Sequence, residues 1–139
     1  MRLKKKIVAS VVLTLFMLAP VLNAGSSGGA AFRTIHQFNL TTIREETRLL
    51  VVLDEFNQLF SKLGFPDVKY RLWRIQEGGL GQLTYLYDSI WPDRAAYDKV
   101  HQDSAYKTLL EKHLPFVQQV LKDEVYCKYV ELGTGGRKK

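Results

Sequence analysis

The longest helical pattern in the chain runs from Trp91 to Leu121, and every other segment must be fitted around it. Tyr106, Leu109, Leu110, Val117, Val120 and Leu121 recur at a spacing near 3.6, which places them on one face of a helix. The stretch is punctuated. Asp93 or Pro92 opens a short first helix through Tyr97 and His101, and the cap residues Asp103 and Ser104 predict a bend and a fresh helix from about Ala105. Pro115 lacks an amide proton and crowds the preceding turn, so a kink or restart is expected near Leu114. His113 falls on the apolar face, one turn from Leu110 and Val117. Burying an unpaired polar ring costs about 1–3 kcal/mol, so His113 is either a satisfied core histidine or a working group.

Strand-like segments lie on both sides of this stretch. From Phe32 to Asn39 the residues alternate, with Phe32, Thr34, His36 and Phe38 on one face. Thr42 and Glu45 form a capping box for a helix running to about Leu63, whose inward stripe is Leu49, Val52, Leu53, Phe56, Leu59, Phe60 and Leu63. Gly64 ends it and Pro66 prevents its resumption. Leu50 and Val51 widen its apolar arc and are available to a second contact, such as another subunit. Val68–Glu77 reads as a second strand, with Tyr70 and Leu72 on one side and Trp73 and Ile75 on the other. Gly78, Gly79 and Gly81 turn the chain into a third strand, Gln82–Asp88, which Trp91 and Pro92 close off. The glycine-rich turn joins two strands and opens no helix, so a dinucleotide-binding reading fails on context. Val125–Leu132 is the last strand, and both of its faces are expected to be at least half buried.

The ends of the chain carry a different signal. Arg2, Lys4, Lys5 and Lys6 precede an uncharged run from Ile7 to Leu22, and the small residues Asn23 to Ser27 follow. That is the pattern of a secretory signal peptide, and the 16-residue run is short for a span needing roughly 20. Cleavage is expected after Ala24, with Ala30 as the alternative site and an uncleaved anchor as the competing reading. The mature chain is then expected in the periplasm or outside the cell, free of the membrane. Residues 25–31 form a flexible linker, 32–132 one domain, and 133–139 a disordered basic tail.

Between Phe32 and Leu132 there are 13 basic and 14 acidic residues, so the net charge of +6 belongs to the termini. A nucleic-acid surface would need basic residues clustered on the domain, and none is expected. Cys127 is alone, which excludes an internal disulfide and leaves stabilisation to packing. In its alternating strand it reads as a small buried residue.

Strand, helix, strand, strand, helix, strand is the split βαβ order of an α+β, ferredoxin-like βαββαβ domain: an antiparallel four-stranded sheet with helices on one face. Large residues point to the uncovered face as well. A second copy of the same sheet is the simplest cover, so a homodimer packed sheet to sheet is expected.

In this order of elements the chain resembles the dimeric α+β barrel superfamily, with its antibiotic-biosynthesis-monooxygenase-like, NIPSNAP-like and haem-degrading branches. The residues that carry the likeness are the third strand leading into Trp91, then Tyr97, His101, Ser104, Ala105 and Tyr106. The resemblance implies a pocket between sheet and helices that binds a small aromatic or apolar molecule. The haem-degrading branch needs an asparagine on the first strand and a tryptophan and histidine on the second helix. Those positions read His36, Val100 and Leu110, so the haem set is not matched and no cofactor is expected.

If strand register allows, His36, Trp73, Tyr85, Tyr106 and His113 converge in that pocket, with Trp91 and His101 beside it. His36 or His113 would then act as general base on an acidic phenol or enol, since a free imidazole titrates near neutral pH. A carbanion held against Trp73 or Tyr85 would meet oxygen directly, as the resembled cofactor-free monooxygenases imply. His36, His101 and His113 are too dispersed for a metal site, and no nucleophile elbow is present. The competing reading is a non-enzymatic binding or structural module in which the aromatic residues fill a core and a dimer interface.

Overall fold

The computed structural model describes residues 29–78 and 82–132. The leader, linker residues 25–28, Gly79 to Gly81 of the turn and the basic tail lie outside the described residues. The elements are β1 (Phe32–Phe38), α1 (Ile43–Lys62), β2 (Arg71–Arg74), β3 (Tyr85–Trp91), α2 (Arg94–Gln102), α3 (Ser104–Val120) and β4 (Val125–Val130). The strands form one antiparallel sheet in the order β2-β3-β1-β4, the ferredoxin-like arrangement read from the sequence.

Local chemistry fixes the helix ends. Thr42 Oγ1 accepts the Glu45 N–H at 3.2 Å and the Glu45 carboxylate accepts the Thr42 N–H at 3.2 Å, the reciprocal capping expected there. At the far end Gly64, with φ of +91°, lets its own N–H reach the Ser61 carbonyl and the Phe65 N–H reach the Phe60 carbonyl. Between these ends α1 buries Leu49, Val52, Leu53, Phe56 and Phe60, each stabilising by about 1.5–3 kcal/mol when fully buried. Asp103 caps two helices at once: it ends α2, and its carboxylate accepts the Ala105 N–H at 2.8 Å to start α3.

Three boundaries and one burial pattern differ from the sequence expectation. α3 continues through Pro115 without a restart: Pro115 and Glu111 both lie on the exposed side of the helix, where the carbonyl that Pro115 cannot bond is open to solvent. β2 is shorter than expected at its start, since Asn57 of α1 takes both backbone groups of Tyr70 and withholds them from a strand ladder. β3 begins at Tyr85 and extends through Trp91, with Ile75 N–H to Thr84 O at 2.8 Å tightening the hairpin. β4 is exposed at five of its six positions, contrary to the expectation of two half-buried faces, because it is an edge strand with one side of the sheet uncovered.

Register decides which residues share a face. Phe32, Thr34, His36 and Phe38 stand opposite Trp91, Ser89, Tyr87 and Tyr85 and look toward the helices. Arg33, Ile35 and Gln37 share the other face with Ile90, Asp88, Leu86 and Trp73. That face is open: Trp73 is 50% exposed, Ile90 46% and Tyr129 47%. At its centre Asp88 is buried, accepting from Arg33 at 2.6 and 3.1 Å and from Trp73 Nε1 at 2.8 Å. Cys127 is half-buried on this same face rather than in the core.

Candidate functional site

The helix-facing side of the sheet carries a layer of tyrosines and histidines. His36 lies flat between Tyr87 (ring centroids 4.2 Å apart) and Tyr126 (4.1 Å), which fixes the imidazole plane. Its Nδ1 is 2.5 Å from Oε2 of Glu124, just before β4. A carboxylate only accepts, so Nδ1 is the donor of this pair. Nε2 has no protein partner among the described residues.

A second chain of hydrogen bonds runs beside this dyad. Nδ1 of His101 donates to the Tyr97 carbonyl at 2.8 Å, which makes Nε2 an acceptor. The Tyr70 hydroxyl, 3.4 Å away, faces that nitrogen and therefore takes the Tyr106 hydroxyl proton at 3.2 Å. Tyr97 and Tyr126 pair through their hydroxyls at 2.9 Å. Burial pushes His101 down to about 4 and Tyr106 up to about 12, and raises Tyr70, Tyr87 and Tyr126 as well. At neutral pH these phenols are neutral.

Tyr70, Tyr87 and Tyr106 line a cavity of about 40 Å³ whose remaining walls are apolar, among them Leu53, Phe56, Leu110 and Val117. This is well below the ~150 Å³ of an apolar cavity that takes up benzene. A planar aromatic ligand does not fit a cavity of this volume.

The residues expected from sequence are distributed differently. Tyr106 lines the cavity, while His36 and His101 reach it indirectly, by stacking on Tyr87 and by facing Tyr70. Trp73 is not in this layer: the register sends it to the open face, where Asp88 holds its indole. Trp91 is 1% exposed and packed against Phe60, Phe65 and Tyr97, with its Nε1 donating to Ser89 Oγ at 2.7 Å, so it is core. Tyr85 donates to Glu46 at 2.7 Å near the surface, and this bond, with Arg74, holds that carboxyl below its usual range. His113 is a satisfied bridge between α3 and α1, its Nε2 3.0 Å from Glu55, and it does not line the cavity. The structure therefore does not bring His113 and His36 together, since each is engaged by a different carboxylate.

Sequence reading missed Glu124, Tyr70, Tyr87 and Tyr126. The recurring tyrosines at alternate positions of β3 were the available signal for Tyr87. Nothing local marks Glu124, whose meeting with His36 depends on β1–β4 register. Among the described residues no group of three or more His, Cys, Asp or Glu is placed to hold a metal ion, and no helix is long and apolar enough to cross a membrane.

No protein-family model matches the chain, and no curated protein matches its sequence. Solved structures do match. A DABB family protein with a ferredoxin-like fold from Mesorhizobium loti is similar at a TM-score of 0.55 and 17% identity, over 75% of this chain and 99% of that one. A dimeric ferredoxin-like protein of unknown function from Thermobifida fusca gives 0.52 and 15%, over 74% and 92%. A hydroxynitrile lyase from Passiflora edulis gives 0.52 and 8%, over 78% and 98%. At such identities the likeness speaks for the backbone arrangement alone, and that arrangement is a ferredoxin-like fold.

Proposed function

We propose that this chain is an exported, homodimeric α+β barrel protein that holds a small apolar ligand between sheet and helices and exchanges a proton with it at His36. The observation that carries the reading is the His36–Glu124 pair: an imidazole clamped between two tyrosine rings, oriented by a carboxylate, with Nε2 left unpartnered among the described residues. In this arrangement Glu124 is a positioning residue and His36 the base. The apolar walls beside Tyr87 support a ligand of low polarity. Export rests on the basic, apolar and small-residue order of the first 27 residues. The dimer rests on the open face, where Trp73, Ile90 and Tyr129 are exposed and the buried Gln37 Oε1 has no hydrogen-bond partner among the described residues. The Thermobifida fusca neighbour, itself described as dimeric, agrees with this.

A second reading, a non-enzymatic binding or structural module, is favoured by one observation. Most tyrosine hydroxyls in the layer pair with one another around a cavity of only about 40 Å³. One experiment separates the two. The purified chain and its His36→Gln variant are titrated by NMR with a panel of small phenols, enols and hydroxynitriles, the last suggested by the lyase among the fold neighbours. Oxygen uptake and substrate loss are followed for each binder, because a carbanion or phenolate is the species that cofactor-free oxygenation consumes. Turnover that vanishes in His36→Gln with the fold intact supports the proposal. Binding without turnover in either protein, together with a mere drop in Tm for the variant, leaves the module.

A further inference from the structure

Gln37 Oε1, near one end of β1, is a buried side-chain atom with no hydrogen-bond partner among the described residues. Register explains why. The residues opposite Gln37 are Leu86 on β3 and Val125 on β4, and Ile35 precedes it on the same face of β1, so none of these side chains carries a donor. Further along the face, Arg33 and Trp73 direct theirs to Asp88. An amide oxygen left buried and unpaired costs about 1–3 kcal/mol, and the protomer places no donor against this one.

We propose that the donor is Gln37 of a second copy, and that the two Gln37 amides pair reciprocally across the two-fold axis of the homodimer. A carboxamide carries a donor and an acceptor on one planar group. A two-fold axis sets each residue beside it against its own counterpart, so two such amides exchange two N–H···O bonds and neither oxygen is left orphaned. The surroundings suit this partner: Trp73, Ile90, Val125 and Tyr129 are exposed on the same face, and a second sheet closing over them shields the amide pair from water. A lone polar pair inside an apolar contact fixes register, because any slip leaves both amides buried without partners. Gln37 thereby selects one alignment of the two sheets. The inference rests on the homodimer through the open face and adds where its axis runs and which residue sets it.

Exchanging charge at this position tests the pairing. Gln37→Glu and Gln37→Lys each set two like charges at the axis, so each variant alone is expected to dimerise at least about a hundredfold more weakly than the parent in analytical ultracentrifugation. Mixed in equal amounts, the two variants are expected to regain the dimer, with native mass spectrometry showing the mixed species in excess over both homodimers. Circular dichroism checks that each protomer stays folded. A second readout needs no substitution: in a mixture of isotope-labelled and unlabelled parent chains, filtered NMR is expected to show the Gln37 side-chain amide protons in contact with the Gln37 methylenes of the other copy. If mixing does not restore the dimer, or if the parent dimer lacks that contact, Gln37 does not meet its counterpart and the pairing is overturned while the dimer stands. Variants that dimerise as well as the parent overturn it in the same way. A parent that stays monomeric at micromolar concentration removes both.

Discussion

Asn57 reads both backbone groups of Tyr70. Its Oδ1 accepts the Tyr70 N–H at 2.7 Å and its Nδ2 donates to the Tyr70 carbonyl at 3.1 Å, so one side chain on α1 stands in for a neighbouring strand. Tyr70 in turn supplies a wall of the cavity and the middle link of the His101 chain. Replacing Asn57 by Ala strands a buried amide and a carbonyl. We expect a loss of about 2–3 kcal/mol, on the order of 10 °C in Tm for a domain of this size, measured by thermal denaturation. Asn57→Asp, which keeps the acceptor, should cost less than Ala. Equal losses would mean that the Tyr70 backbone finds other partners.

Stability should also depend on His101. Its folded value, about 4, lies below the ordinary 6.5 because burial disfavours the cation. The unfolded chain therefore binds the extra proton between those values. Stabilisation is fully present above pH 6.5 and is lost as pH falls toward 4, by up to about 3 kcal/mol. Asp98 nearby opposes the shift, while Lys128 and His36 reinforce it. Urea midpoints from pH 7.5 to 4 should fall more steeply for the parent than for His101→Gln, and parallel curves would remove His101 as the cause.

The open face should hold the dimer together. Trp73 is pinned by Asp88, so burying it against a second copy costs little side-chain freedom. Trp73→Glu places an unpaired charge in that contact and should weaken self-association by about 2 kcal/mol or more, roughly thirtyfold in Kd. Analytical ultracentrifugation reads this directly. A parent protein that sediments as a monomer at micromolar concentration would sink the dimer proposal at once.

Export has a mass signature. Produced with its leader in a host with a secretory pathway, the chain should be recovered beginning at Gly25, or at Ala31 if the second site is used. Intact mass spectrometry of the soluble exported fraction distinguishes these. A full-length product retained with membranes would favour the anchor.

The helices and their order were legible because their signals are local: a capping box at Thr42, a glycine at 64 and a double cap at Asp103 each act within a few residues. Strand alternation was legible too, and it put His36 with Phe32 and Phe38 correctly. Which residues of different strands share a face was not, because a shift of one residue in register moves every side chain to the opposite side. Trp73 was lost to the pocket on that account, and Glu124 was invisible for the same reason. His113 misled through its helical phase. The phase was read correctly, but a surface carboxylate on α1, Glu55, reaches in to claim it.

The sheet order carries a consequence for how the chain is made. β1, the first strand, lies between β3 and β4, and β4 is the last element of the domain. Closure of the sheet must wait until the ribosome has delivered almost the entire polypeptide, since its outer β1–β4 ladder joins opposite ends of the domain. Until then the nascent chain has no complete tertiary structure, which is the state that the proposed export through a narrow channel would require.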